Sequence, residues 1–319
     1  MLLKKKRSVS AAFMAVDIFY IVMMILPIVA AIVLKVLTEP PSEGINITGA
    51  RIYTIIYLPF FPKDLAVFQQ FPITEAQVNS ALVLITITFL CLYMTHGLKE
   101  RIKLRRQHFA ELIVEKVDGM VKENMGDFFK SFSPFIIAIM ALSACSSLLS
   151  LFGLFPPTSD INVVAGWAIL VFILITYYKL RCGILYYLKG FTEPVAILAP
   201  INFLSEFATP ISMAFRHYGN ILSGTVISVL LGYALTALSA MVLGSLPGFI
   251  SQIPIFKIGI PAVLSIYFDV FSGCLQAFIF AMLTMLNIAG GFSLEDYEKL
   301  KNKRLARKAA KQKRKIIKN

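Results

Sequence analysis

Long apolar blocks, broken by short charged runs, organise this sequence. A helix that crosses a bilayer needs roughly 20 mostly apolar residues. Blocks of that kind predict spans at about 11–37, 78–98, 134–155 and 161–180, with two longer apolar stretches at 199–243 and 259–293. The stretch 199–243 is too long for one perpendicular crossing at roughly 1.5 Å rise per residue, so it must tilt, bend or lie partly along the membrane. The first block follows Lys4-Lys5-Lys6-Arg7 and holds the uninterrupted run Ile18 to Leu34. It lacks a small-residue cleavage site and is too long for a signal peptide, so it is read as a retained helix.

Between these blocks the pattern changes twice. Residues 38–77 read as a mixed loop with Pro40, Pro41, Pro62 and Pro72 and a sequon at Asn46-Ile47-Thr48. Its two basic residues, Arg51 and Lys63, suit the outer face. In 107–127, Phe109, Ile113, Val117, Met120 and Val121 recur at helical spacing, with Glu111, Glu115, Lys116, Asp118 and Lys122 at other positions. That predicts an amphipathic helix on the membrane surface or against a partner.

Composition agrees with the blocks: 57% of residues are hydrophobic and 15% charged, against about 25% charged in an ordinary soluble domain. The net charge is +13, gathered at Lys4–Arg7, Lys99–Arg106, Lys179–Lys189 and the tail Lys299–Lys318. With six spans both termini lie on one side, and every basic cluster falls on it. The positive-inside rule makes that side cytoplasmic. The basic clusters flank apolar spans, so topology explains them better than nucleic-acid binding does. Cys91, Cys145, Cys182 and Cys274 are widely spaced, and His96, His108 and His217 do not cluster with them. No disulfide framework, metal site or cofactor is expected.

Charge inside hydrocarbon costs about 2.5–3.5 kcal/mol for a central Arg or Asp on the insertion scale. Asp17 lies near the start of its span and reads as an interfacial carboxylate. Glu206, Arg216 and Asp269 lie well inside the last two stretches. At 100° per residue Ser212, Arg216, Asn220 and Ser223 share a face, while Gly219, Ser223 and Gly224 let another helix approach. A guanidinium keeps its proton, so Arg216 acts as a fixed charge. Its alternatives are a structural salt bridge to Glu206 or Asp269, or an anion site in a transporter. Asp269, Ser272, Gly273 and Gln276 form a second polar stripe by α-helical spacing, suited to an ion pathway or to polar packing between helices.

At these residues the chain resembles subunit a of the F-type ATP synthases. Arg216-His217-Tyr218-Gly219-Asn220-Ile221-Leu222-Ser223-Gly224 is similar to the family's arginine motif. Pro200 to Pro210, with Asn202 and Glu206, is similar to its upstream pattern. Leu275-Gln276-Ala277-Phe278-Ile279-Phe280 with Leu283-Thr284 is similar to its final helix. Weaker likenesses lie at Phe132-Ser133-Pro134-Phe135, Leu151 to Pro156 and Asp160-Ile161-Asn162. Thr225 stands where the family often has His or Glu, and Ser150 where Asn is common.

The resemblance implies an all-α polytopic membrane protein with a long C-terminal helical hairpin and one surface helix. It divides the chain into an extra N-terminal helix and external loop (1–77), a subunit a-like domain (78–294) and a basic cytoplasmic tail (295–319). It implies a stationary, non-nucleotide-binding subunit in a bacterial cell membrane. Its partners would be the c-ring, peripheral-stalk subunit b, the lipid bilayer, and protons or sodium ions. Arg216 would stand between two half-channels. Asp269, Asn220 and Asp160 would line the outer one, with Thr225 nearby, and Glu206 the cytoplasmic one. Gln276 would hydrogen-bond Arg216. Gly219, Ser223, Gly224 and Gly273 would serve close packing.

Overall fold

The computed structural model of the chain describes residues 11–38, 50–57, 70–98, 105–193, 195–243, 256 and 259–318. The sequon, Pro40, Pro41, Pro62, Lys63 and the basic runs at Lys4–Arg7 and 99–104 lie outside the described residues. The main helices are α1 (Ala11–Thr38), α2 (Glu75–Thr95), α3 (Arg105–Met125), α4 (Ser133–Leu148) and α5 (Ile161–Arg181). They continue with α6 (Ile184–Thr192), α7 (Ala199–Leu243), α8 (Ile260–Ser265), α9 (Gly273–Gly290) and α10 (Leu294–Lys318). A π-helical segment, Ile266–Ser272, joins α8 to α9.

Among the described residues, six helices are long and apolar enough to cross a membrane: Phe13–Leu37, Glu75–Thr95, Asp127–Phe152, Ile161–Arg181, Ala196–Val242 and Ile266–Gly290. The chain is an all-α multi-pass membrane protein. At roughly 1.5 Å per residue, α7 with its 45 residues is about 68 Å long, more than twice a hydrocarbon core of about 30 Å. Pro210 lies inside it and cannot donate to the carbonyl of Glu206, one turn before.

One expectation changes. Within 38–77, Ile52–Tyr57 (β1) and Gln70–Thr74 (β2) form an antiparallel hairpin rather than loop throughout. β-Branched and aromatic residues favour the strand, and Pro72 is tolerable because a two-stranded ribbon consists of edges. The side chain of Gln77 accepts from the Thr74 N–H at 3.2 Å and so starts α2.

The chain divides into two compact units. The first comprises Met1–Lys116, Ala138–Asp160 and Gly219–Ala277. Its core joins Ile28, Ala31 and Ile32 of α1 to Leu82 and Val83 of α2, with Leu149 and Leu154 after α4. Asn79 donates to the carbonyl of Phe155 at 2.7 Å. Asp17 lies near the start of α1 and is paired, with Arg106 at 2.8 Å and with His96 at 2.8 Å, while Phe13 stacks on His96. Burial lowers the pKa of the Arg106 guanidinium, but Asp17 and Tyr93 beside it outweigh that and raise it.

The second unit comprises Val117–Ile137, Ile161–Tyr218 and Phe278–Asn319. Val164, Ala168 and Ala214 form a small core, and Trp167, His217 and Phe280 meet edge to face. Phe128, Phe129, Tyr178, Phe292 and Tyr297 make an aromatic box. The amphipathic reading of 107–127 holds for Val117 and Val121, which are buried, whereas Phe109 and Ile113 remain exposed.

Candidate functional site

On α7 the burial pattern separates two faces. Met213, Ala214, His217 and Ile221 are buried. Their spacing is that of one helical stripe. Ser212, Arg216 and Ser223 are exposed and Asn220 is half-buried, so the polar face points outward. It lies among exposed apolar side chains such as Ile211 and Phe215. Arg216 has no ion-pair or hydrogen-bond partner among the described residues. The structural salt bridge weighed for it is absent there. Glu206 is instead held by Lys179, whose Nζ donates to Oε1 at 2.8 Å and to Oε2 at 2.6 Å. Both partners are mostly sheltered, at 23% and 10% side-chain exposure.

Lys179 was legible only as one of the basic residues that flank α5. Its partner is set by backbone approach: a Cβ on Gly291 would come within 2.8 Å of Lys179 Cε. A side chain at Gly291 would crowd the lysine stem, which runs along that backbone to reach Glu206. The pair borders a cavity of about 870 Å³, also lined by Tyr186, Tyr187 and Asn202. Burial pushes the Tyr186 and Tyr187 hydroxyls up, so both stay neutral hydrogen-bonding groups. The Glu206 carboxylate adds to the shift at Tyr187. Asn202 donates to the carbonyls of Phe191 and Glu193, tying α7 to the end of α6.

In the first unit, the C-terminal part of α7 runs antiparallel to the π segment. Ser272 Oγ donates to Asn220 Oδ1 at 2.8 Å. Gly224 lies under Phe268, whose atoms would stand 3.0 Å from an added Cβ. Four residues forward on one helix (220 to 224) correspond to four back on the other (272 to 268). Gly273 meets Ser147 of α4, with 2.7 Å between the two Cβ positions. Gly224 and Gly273 therefore sit at close helix approaches, while nothing lies within 4 Å of the Cβ position of Gly219. Close packing at Gly219 is not present within the described residues.

The stripe expected from Asp269 to Gln276 needs correction. Ile266–Ser272 is π-helical, so the 100° step on which that stripe rests does not hold between Asp269 and Ser272. Bonds in such a segment run from residue i to i+5, and π turns recur at functional sites. Asp269 is half-buried within these turns, and Gln276 is buried in the first turns of α9. Thr225 is exposed and its hydroxyl donates back to the carbonyl of Ile221, so its one donor hydrogen is engaged within α7. Asp160 is half-buried after a short 3₁₀ turn and directly precedes α5. An acid at that position suits the positive end of the helix. Among the described residues no three His, Cys, Asp or Glu groups gather as a metal site would require.

The sequence pattern described as ATP synthase A chain matches residues 78–289. The chain is 30% identical over 254 residues to ATP synthase subunit a of Geotalea uraniireducens, covering 77% of this chain and 99% of the relative. It is 28% identical over 254 residues to ATP synthase subunit a of Trichlorobacter lovleyi, with the same coverage. It is 29% identical over 244 residues to the "ATP synthase subunit a, sodium ion specific" of Propionigenium modestum, covering 71% of this chain and 77% of the relative.

Proposed function

Because the chain belongs to the ATP synthase A chain family, as a membrane-sector subunit of an F-type ATP synthase beside a c-ring, we propose that Arg216 is the fixed cation between two half-channels. A carboxylate of the ring meets it once per passage. The guanidinium favours the ionised carboxylate at that moment and repels cations that would leak straight through.

One observation carries this reading. Arg216 is exposed on an outward polar face of an apolar helix and has no ion-pair partner among the described residues. Lipid tails cannot solvate a guanidinium, so a second protein or water must meet it. A moving acid on the ring is a partner of the right charge. The attraction has an upper limit: two unit charges 4 Å apart gain about 4 kcal/mol at an effective dielectric of 20. A dry, tighter pair would hold the ring in place, so the site is hydrated.

Asp269, Asn220 and Asp160 line the outer half-channel, and Glu206 the cytoplasmic one. Gln276, buried in α9, is a member of the same ion pathway. Thr225, on the face of α7 toward its C-terminal end, is a lesser contributor. The coupling ion is the proton, with sodium as the alternative raised by the sodium-specific relative. Peripheral-stalk subunit b holds the chain against rotation. The membrane is a bacterial cell membrane, with both termini cytoplasmic, as the basic clusters favour. An anion transporter, the other reading of Arg216, gives way to the family membership.

The test uses membranes with the assembled complex. Arg216→Ala should abolish gradient-driven ATP synthesis while the c-ring and the soluble head still copurify. Coupled synthesis at the parental rate would end the proposal for Arg216. A proton gradient without sodium, set against a sodium gradient without a pH difference, identifies the ion.

A further inference from the structure

We propose that α10 is a charged wall of the cytoplasmic mouth and throttles cation exchange there. This deepens the half-channel reading of Glu206 and rests on it. α10 begins at Leu294, beyond residues 78–289 that match the family.

Three observations place α10 at the mouth. It lines the cavity of about 870 Å³ beside the Lys179–Glu206 pair, through Asp296, Lys299, Leu300 and Lys303. It is anchored there: Leu300 Cδ1 would be 2.6 Å from a Cβ on Gly183, which has a positive φ, and Arg181 donates to the Tyr297 hydroxyl at 3.0 Å. Its first turn is fixed as well, because Ser293 Oγ donates to Asp296 Oδ2 at 2.9 Å and Cys182 exchanges hydrogen bonds with Ser293.

The charges then decide its effect. Without α10 the cavity lining is balanced, with Lys179 and Lys189 against Glu193 and Glu206. α10 adds Lys299 and Lys303 against Asp296, which makes the lining net positive by one charge. Low-dielectric walls focus such a charge and lower the local cation concentration. Lys299 is partly offset by Glu295 at 2.6 Å, so Lys303 is the more influential lysine. Lys301 and Arg304 lie on the same helix outside the cavity lining and should matter less.

The test measures passive proton flow through the membrane sector, with its ring, in inverted vesicles. The background replaces Cys91, Cys145 and Cys274 by serine or alanine, and Cys182 by serine, which can still hydrogen-bond Ser293. Lys303→Cys should raise flow about two- to fivefold at low salt, within the range of electrostatic steering. A cationic, membrane-impermeant thiol reagent should return it to the parental level, and an anionic one should raise it further. These differences should shrink at high salt, where the Debye length falls to about 3 Å at 1 M. Lys301→Cys should respond weakly to either reagent.

Equal effects of the two reagents, equal effects at positions 301 and 303, or failure of position 303 to label would each overturn the throttle. Glu206→Gln separates this from the parent reading. Flow unchanged in Glu206→Gln removes Glu206 from the pathway. Flow slowed by Glu206→Gln but indifferent to charge at 303 overturns the role of α10 alone.

Discussion

Ser272 donates its hydroxyl to Asn220 Oδ1 over 2.8 Å, joining the last π turn before α9 to the polar face of α7. Asn220 Nδ2 lies 3.4 Å from the Ser272 carbonyl and adds a weaker return bond. Ser272→Ala deletes the donor and leaves an amide oxygen unpaired. A net loss of about 1 kcal/mol is expected. A double-mutant cycle with Asn220→Ala, read by thermal unfolding of the purified complex, should give a coupling energy of about 0.5–1.5 kcal/mol. Strict additivity would show that the bond contributes nothing.

Gly273 leaves no room for a side chain, since its Cβ would stand 2.7 Å from that of Ser147. Gly273→Ala should push α4 and α9 apart and cost about 1–3 kcal/mol. Adding Ser147→Gly opens the space and should recover part of the loss, despite a helix penalty of about 1 kcal/mol. Complex yield and melting temperature report both steps. Wild-type stability in Gly273→Ala would contradict the contact.

Lys179 and Glu206 form a sheltered ion pair, so removing one partner strands the other. Lys179→Met should destabilise the subunit by up to about 3–5 kcal/mol, the range for broken buried pairs. Lys179→Met with Glu206→Gln should recover most of the stability, because two neutral groups need no counter-charge. Yield of the assembled complex in mild detergent distinguishes the two. If the double variant is no better than the single one, the pair is not what the lysine stabilises.

Asp269→Asn keeps the shape of the side chain and removes its charge. Ion flow should fall at least tenfold while assembly stays normal, as expected for a group that carries the ion rather than the fold. Passive flow and copurification of the ring measure the two outcomes separately. Unchanged flow would take Asp269 out of the pathway.

Asp17 clamps α1 to the end of α2 through His96 and to the start of α3 through Arg106. Asp17→Asn weakens that clamp and should let protease cut near the N-terminus faster in inverted vesicles. Cutting at the parental rate would show that the apolar contacts of Ile28, Ala31 and Ile32 hold α1 by themselves.

The six spans were legible because burying backbone polar groups in lipid demands long apolar helices, and length and hydropathy are local properties. The amphipathic spacing of Val117 and Val121 and the motif around Arg216 were readable for the same reason. The hairpin of Ile52–Tyr57 with Gln70–Thr74 was not. Its pairing joins residues with prolines and a long connection between them, and no local period announces it. The stripe from Asp269 was misread because a π turn changes the residue spacing, and nothing in the local composition marks where it begins.

By itself, then, the sequence determined that the chain crosses the membrane, where it crosses, and which residues carry charge into the apolar region. Only the tertiary structure decided how those charges are used. Lys179, nominally a flanking residue, neutralises Glu206 because the backbone at Gly291 gives its stem a path. Arg216 is left facing outward because Met213, Ala214, His217 and Ile221 take the inner face of α7. Helical periodicity is written in one segment, whereas the partner of a charge depends on which other segment folding brings within a few ångströms.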